Sequence, residues 1–118
     1  MTVEERNALI AAWMGKTVRV VVDRPVGYRH WDMVYPINYG YIPGVLGGDG
    51  EELDVYLLGV EEPVEAYDAE IIAIVHRHND VEDKLVGAPK GTRLSAEEIA
   101  QAVHFQEQYY DSEIEIQK

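Results

Sequence analysis

The chain has 118 residues, enough for one domain over residues 1–118, and its composition, 47% hydrophobic and 27% charged, predicts a folded soluble protein. Its 22 acidic and 10 basic residues give a net charge of −12, which argues against nucleic acid and anionic membranes as partners. The absence of cysteine excludes disulfides and thiolate metal sites, and because no signal peptide or membrane span is recognisable we expect a cytoplasmic protein.

The first part of the chain predicts a helix followed by a strand. Thr2 and Glu5 form a capping box, and apolar residues recur at helical spacing until Gly15. The β-branched run over residues 17–23 predicts a strand, which must end before Pro25.

Three more strands and a second helix are predicted downstream. The strands cover residues 53–60, 70–78 and 84–88, and the apolar density of the second of them indicates burial on both faces. Ser95 and Glu98 form another capping box, which predicts a helix through about Tyr110. Ile114 and Ile116 alternate with acidic residues, as in a short terminal strand or a frayed end. Short strands between two helices predict an α+β, mainly β domain built on a partly closed barrel of the five-stranded type.

The central stretch of residues 35–54 combines phenols with carboxylates. Its phenols and acids are Tyr35, Tyr39, Tyr41, Asp49, Glu51, Glu52 and Asp54. Carboxylate oxygens are the ligands that Mg²⁺ prefers, and phenols can donate hydrogen bonds to a phosphate. The competing interpretation is a hairpin, because Asp49-Gly50 is a strong turn signal. Asp54 favours a site, since a carboxylate between Leu53 and Val55 is costly unless a cation or donor compensates it.

A second acidic cluster covers residues 80–83 and precedes Lys84 at the start of a predicted strand. It is either an exposed turn or part of the same site, with Lys84 directed inward as a phosphate donor. Tyr109 and Tyr110, at the end of the second helix, are further phenols, although tyrosines in such positions more often belong to the core or its rim than to a binding site. His76 and His78 share a strand face, for which a cross-strand or surface role is favoured over zinc binding.

Four motifs resemble those of the family I soluble, magnesium-dependent inorganic pyrophosphatases. They are residues 35–42 (Tyr-Pro-Ile-Asn-Tyr-Gly-Tyr-Ile), 49–54 (Asp-Gly-Glu-Glu-Leu-Asp), 82–86 (Glu-Asp-Lys-Leu-Val) and 104–109 (His-Phe-Gln-Glu-Gln-Tyr). The resemblance implies a five-stranded barrel of the oligonucleotide-binding type with flanking N-terminal and C-terminal helices. It also implies hydrolysis of pyrophosphate with two or more Mg²⁺ ions, and a homo-oligomer.

The resemblance assigns roles to individual residues. It implies that Glu51 accepts the proton of the attacking water, and that Tyr35 lines the site. The implied phosphate contacts are Arg19, Arg29, Tyr39, Lys84 and Tyr109, and the implied metal ligands are Asp49, Asp54, Asp80 and Glu82. Arg24 is the alternative to Arg29, and Asp83 is the alternative to Asp80.

The chain also departs from the family pattern. Val21 stands in place of a glutamate and Tyr110 in place of a lysine, while Glu51 and Glu82 are each one methylene longer than the family's aspartates. A longer side chain shifts a metal or water by about 1 Å, which can cost roughly a hundredfold in rate. Two alternatives therefore stay open. One is a non-catalytic module that binds a phosphorylated metabolite or a protein partner, and the other is a phosphohydrolase for another small diphosphate.

Overall fold

The computed structural model describes residues 2–47, 50–78 and 83–117, which form two helices and eight strands. In chain order these are α1 (Val3–Ala11), β1 (Thr17–Arg24), β2 (Arg29–His30), β3 (Met33–Val34), β4 (Asn38–Leu46), β5 (Glu52–Leu57), β6 (Ala66–Arg77), β7 (Lys84–Ala88), α2 (Ala96–Glu107) and β8 (Ser112–Ile116). Neither of the helices in these ranges has the length and apolar character needed to cross a membrane.

Five strands form a closed barrel in the order β1-β4-β5-β7-β6, and pairing of β6 with β1 closes it. The β5–β7 pair is parallel and the other neighbours are antiparallel. β8 extends the sheet by pairing with β6, and β2 and β3 form a separate hairpin. The prediction of a mainly β, five-stranded barrel with two helices is confirmed.

Two apolar clusters lie on opposite sides of the sheet. Val20 and Val22 alternate with exposed Arg19 and Asp23 along β1, so the valines enter the barrel interior with Leu53 and its neighbours. The second cluster lies outside the barrel, where Ile99 and Val103 of α2 pack over Tyr35, Tyr39, Tyr56, Ile72 and Val86. β7 is buried along its whole length and β6 over most of it, which confirms the two-sided burial predicted for β6.

The capping boxes predicted at Thr2 and Ser95 are both present. The strand alternative for the tail is confirmed, since Ile114 and Ile116 belong to β8. β4 was not predicted as a strand, although it is the fifth member of the barrel. It carries Pro43 and Gly40, and Gly40 is required there because a Cβ at that position would lie 1.9 Å from the carbonyl oxygen of Val21.

Candidate active site

A row of side chains crosses the outer face of the barrel. The register of β1, β4 and β5 places Tyr41 opposite both Val21 and Asp54. The parallel β5–β7 pairing brings Lys84 beside Asp54, and its Nζ lies 2.5 Å from the Asp54 Oδ2. The Lys84 side chain is 3% exposed, so its ammonium has lost most of its hydration and depends on this carboxylate. Lys84 is thus one cation that compensates the Asp54 carboxylate, for which the sequence predicted a cation or a donor.

A cavity of about 280 Å³ opens beside this row, next to the end of α2. Its lining residues are Asp23, Arg24, Tyr39, Asp54, Arg77, Lys84, Gln106 and Tyr110. We call it the charged cavity, because this lining contains three cationic and two anionic side chains. In a protein of net charge −12, three cations that face one space offer local contacts to an anionic ligand, and the carboxylates beside them offset much of their charge.

Arg77 is fixed in the wall of the charged cavity by a buried ion pair. Its Nε and Nη2 donate to the two carboxylate oxygens of Glu107 at 3.1 and 2.6 Å, and its guanidinium lies 3.6 Å from the ring centre of Tyr110. Burial alone would lower the pKa of Arg77, but the hydrogen bonds and charge of Glu107 raise it. Burial would raise the pKa of Glu107, but hydrogen bonds from Arg77, Ser112 and Tyr56 lower it. Both partners are therefore ionised.

A chain of hydrogen bonds connects this pair to Arg24 across the back of the cavity. Arg24 donates to the Tyr35 hydroxyl at 2.5 Å, and that hydroxyl donates to the Gln106 Oε1 at 2.8 Å. The Gln106 amide donates to the Tyr56 hydroxyl at 2.9 Å, which in turn donates to Glu107 at 2.5 Å. Burial lowers the pKa of Arg24, but the contact with Tyr35 raises it overall. The chain holds two guanidinium groups at fixed positions around one cavity.

Tyr39 and Asp23 complete the polar lining. Burial, reinforced by the charge of Asp54 and by Tyr56, raises the pKa of Tyr39 well above its usual value, so its phenol stays protonated and can donate a hydrogen bond. Burial also raises the pKa of Asp23, and repulsion from Asp54 and Glu52 adds to the effect. Asp54 and Glu52 therefore add negative charge in the neighbourhood of Asp23.

The predicted site residues separate into those that meet at the charged cavity and those that lie elsewhere. Tyr39, Asp54 and Lys84 line it, and Tyr35 lies directly behind it. Arg19 lies on the exposed face of β1, where it pairs with Asp68 at 3.2 Å. Arg29 is exposed in β2, whereas its alternative Arg24 lines the cavity.

Tyr109 and Tyr110 point to different places. Tyr109 is 72% exposed and lines a separate cavity against Trp31, while Tyr110 lines the charged cavity beside Arg77. Tyr110, which stands where the resemblance implies a lysine, therefore faces the candidate site with an uncharged aromatic ring.

Several predicted ligands lie outside the described residues, namely Asp49, Asp80 and Glu82. Glu51 is exposed, and its backbone carbonyl accepts a hydrogen bond from the Gly47 N–H at 2.7 Å. The preceding residue, Gly50, has a φ of +84°, a conformation that favours glycine. In residues 2–47, 50–78 and 83–117, no three His, Asp or Glu side chains converge to hold a metal ion.

Asp83, the alternative to Asp80, is buried. It accepts a hydrogen bond from the Arg77 backbone N–H at 3.0 Å, and its other oxygen lies 3.1 Å from His76 Nδ1. His76 also contacts Glu115 of β8 at 2.8 Å, and His78 lies 3.8 Å from Glu113. These contacts agree with the cross-strand role favoured for the two histidines.

The prediction from sequence missed the buried network of Arg77, Glu107, Gln106 and Tyr56. Arg77 lacked the signal that identified Asp54, because it lies between His76 and His78 at the end of a strand and not among apolar residues. Glu107 and Gln106 carried no comparable signal, because acidic and amide residues are ordinary on an exposed helix face.

Comparison with known proteins gives a consistent picture. The sequence model of the inorganic pyrophosphatase family matches residues 12–115. An inorganic pyrophosphatase of Aeropyrum pernix is 36% identical over 75 residues, covering 60% of this chain and 41% of its own. One from Saccharolobus solfataricus is 33% identical over 100 residues, covering 74% of this chain and 56% of its own. The chain thus spans about half the length of these curated relatives.

Solved structures share the fold. The inorganic pyrophosphatase of Ehrlichia chaffeensis superposes with a TM-score of 0.65 at 19% identity, over 87% of each chain. That of Neisseria gonorrhoeae gives a TM-score of 0.56 at 24% identity, over 88% of this chain and 82% of its own.

Proposed function

The chain belongs to the inorganic pyrophosphatase family, and from this premise we propose that it hydrolyses inorganic pyrophosphate to two phosphates. The observation that carries the proposal is the charged cavity, in which Arg24, Arg77 and Lys84 face one space with the protonated phenol of Tyr39. Pyrophosphate presents several anionic oxygens to such a space. A set of fixed cations and one hydrogen-bond donor matches that charge without reorganisation during the reaction.

The carboxylates around the cavity fit divalent cations. Asp23 and Asp54 both line the cavity and provide hard oxygen donors of the kind that Mg²⁺ prefers. We propose that Asp54 holds two or more Mg²⁺ ions together with Asp49, Asp80 and Glu82. Bound Mg²⁺ would supply Lewis-acid stabilisation of the phosphoryl oxygens and lower the pKa of a water molecule.

The protein's own residues then position the substrate and move one proton. Arg24, Arg77 and Lys84 balance the charge on the phosphoryl oxygens, which is where most of the stabilisation is needed in phosphoryl transfer. Water attacks one phosphorus atom while the bond from that phosphorus to the bridging oxygen breaks. Glu51 accepts the proton of the water, and the bridging oxygen leaves with the second phosphate.

A second candidate function is binding of a phosphorylated ligand without turnover. It is favoured by the direct Asp54–Lys84 contact and by the half-buried apolar Val21, which aligns with them through Tyr41. Val21 leaves the row without the carboxylate of the glutamate that it replaces, and Lys84 neutralises the carboxylate of Asp54. In this case the cavity would bind pyrophosphate or a nucleotide and release no phosphate.

The deciding experiment measures phosphate release from pyrophosphate by the pure protein, with and without Mg²⁺, from about pH 6 to about pH 9. We expect Mg²⁺-dependent release that falls roughly a hundredfold or more in Lys84→Met, because one preorganised cation is lost. Glu97→Gln, an exposed change at the far end of α2, is the control and should keep full activity. Binding of pyrophosphate without release under any of these conditions would favour the second candidate. We also propose a homo-oligomer in the cytoplasm, to be checked by sedimentation and by cell fractionation.

A further inference from the structure

A second cavity, of about 600 Å³, lies between the β2–β3 hairpin and the end of α2. We call it the aromatic cavity, after the residues His30, Trp31, Phe105 and Tyr109 in its lining. Its size is that of a small-molecule site, and aromatic walls with few polar groups are typical of such sites. The resemblance to pyrophosphatases assigns a role to one residue of this lining, Tyr109, as a phosphate contact, and the proposed hydrolysis uses none of these residues.

Trp31 is the unusual residue of this cavity. It is 86% exposed, and His30 stacks on one side of its indole with ring centres 5.3 Å apart and planes inclined by 11°. Among residues 2–47, 50–78 and 83–117 it is also the one non-glycine residue with positive φ, at +56°. A bulky residue in this region is strained, and such strain is concentrated at functional sites. At Trp31 this strained backbone carries a large aromatic surface that is exposed to solvent.

Tyr35 separates the aromatic cavity from the charged cavity. Its ring packs on Phe105 of the aromatic cavity at 5.1 Å and on Tyr39 of the charged cavity at 5.7 Å, centre to centre. The two cavities also share the end of α2, since Phe105 lines one and the next residue, Gln106, lines the other. The two cavities are therefore neighbours on either side of one tyrosine ring, an arrangement that suits a ligand with an aromatic part and an anionic part.

We propose that the aromatic cavity binds the base of a nucleoside 5′-diphosphate whose phosphates occupy the charged cavity. The inference rests on the proposed function only in that the charged cavity accepts a diphosphate. Any base presents a flat π-face, and stacking on an aromatic side chain contributes about 1–3 kcal/mol per base. Asp32 and Gln108, also in the lining, supply polar groups for the edge of the base.

The test compares two non-hydrolysable ligands that differ in the nucleoside. They are adenosine 5′-(α,β-methylene)diphosphate and methylenediphosphonate, each titrated calorimetrically into the full chain at one fixed Mg²⁺ concentration. We expect Trp31→Ala to weaken the nucleotide analogue roughly tenfold and to leave methylenediphosphonate within about twofold. Trp31→Phe should restore most of the nucleotide affinity, since it keeps a stacking surface. Leu9→Ala, an exposed apolar residue on α1, is the matched control and should change neither affinity.

Equal effects of Trp31→Ala on both ligands, or no effect on either, would overturn the inference. So would a change in sedimentation coefficient with nucleotide affinity unchanged, because the cavity would then be a subunit interface. The outcome is separable from that of the proposed hydrolysis. Nucleotide binding that depends on Trp31 supports the inference even if pyrophosphate is not cleaved. Pyrophosphate cleavage with Trp31-independent nucleotide binding leaves the hydrolysis intact and overturns the inference.

Discussion

The exchange of Glu107 for glutamine tests the buried network directly. The change keeps the shape of the side chain but removes the charge that accepts two hydrogen bonds from Arg77, one from Tyr56 and one from Ser112. It also places an amide NH₂ against donors of Arg77. The guanidinium stays buried without its counter-charge, which is the costly way of breaking an ion pair.

The expected magnitude follows from burial and chain length. Removing one partner of a buried pair costs about 3–5 kcal/mol. Unfolding entropy of about 2.1 cal/mol/K per residue gives roughly 0.25 kcal/mol/K for 118 residues. The melting temperature of Glu107→Gln should therefore fall by roughly 12–20 °C.

The assay is thermal unfolding followed by circular dichroism, with Glu97→Gln on the exposed face of the same helix as control. The melting temperature of the control should change by only a few degrees, because Glu97→Gln removes an exposed charge from the first turn of α2. The pH dependence adds a second check. Hydrogen bonds lower the pKa of Glu107 below 4.5, so its stabilisation is complete above that pH and disappears as pH falls through the folded pKa. A Glu107→Gln melting temperature equal to that of the control at neutral pH would refute the reasoning.

Three further predictions concern other parts of the molecule. Burial lowers the pKa of His76, but hydrogen bonds to Glu115 and Asp83 raise it above 6.5 overall, so its stabilisation is complete below pH 6.5 and is lost as pH rises through the folded pKa. Between about pH 6 and about pH 8, the free energy of unfolding in urea should fall less for His76→Gln than for wild type. An equal fall with pH in both proteins would contradict this. Gly40→Ala should lose at least ~3 kcal/mol by urea unfolding, because the new Cβ meets the Val21 carbonyl at 1.9 Å, whereas Gly87→Ala, with a contact of 3.0 Å to Ala69 Cβ, should lose less. Val21→Glu should lower the Mg²⁺ concentration for half-maximal activity, since it adds a carboxylate to the row of Asp54, and an unchanged or higher requirement would argue against a metal there.

Local signals predicted most of the barrel. Capping boxes located both helices, and β-branched or apolar runs located β1, β5, β6 and β7. β4 was missed because its glycine, proline and tyrosines do not resemble a strand. β4 is a strand because of a long-range contact, its pairing with β1. Gly40 allows this pairing, since a side chain there would collide with the backbone of Val21. A single sequence carries no information on that contact.

The site was predictable where one residue contradicted its surroundings. Asp54 in an apolar strand indicated a partner, and the structure provides Lys84. The Arg77–Glu107 pair could not be found in this way, because each member is ordinary in its own neighbourhood, Arg77 between two histidines and Glu107 between two glutamines. The choice between Arg24 and Arg29 also depended on where the chain turns after β1, which local composition does not determine.

The closure of the barrel has a consequence for folding. Every barrel strand contributes to the charged cavity, through Arg24 of β1, Tyr39 of β4, Asp54 of β5, Arg77 of β6 and Lys84 of β7. The closing pair joins residues 49 apart in sequence, as at Arg19 and Asp68, and contacts of such separation form slowly. The cavity therefore assembles only when the last strands pair. A ligand bound in the charged cavity therefore stabilises the whole closed barrel by mass action, and its effect is not limited to one loop or helix.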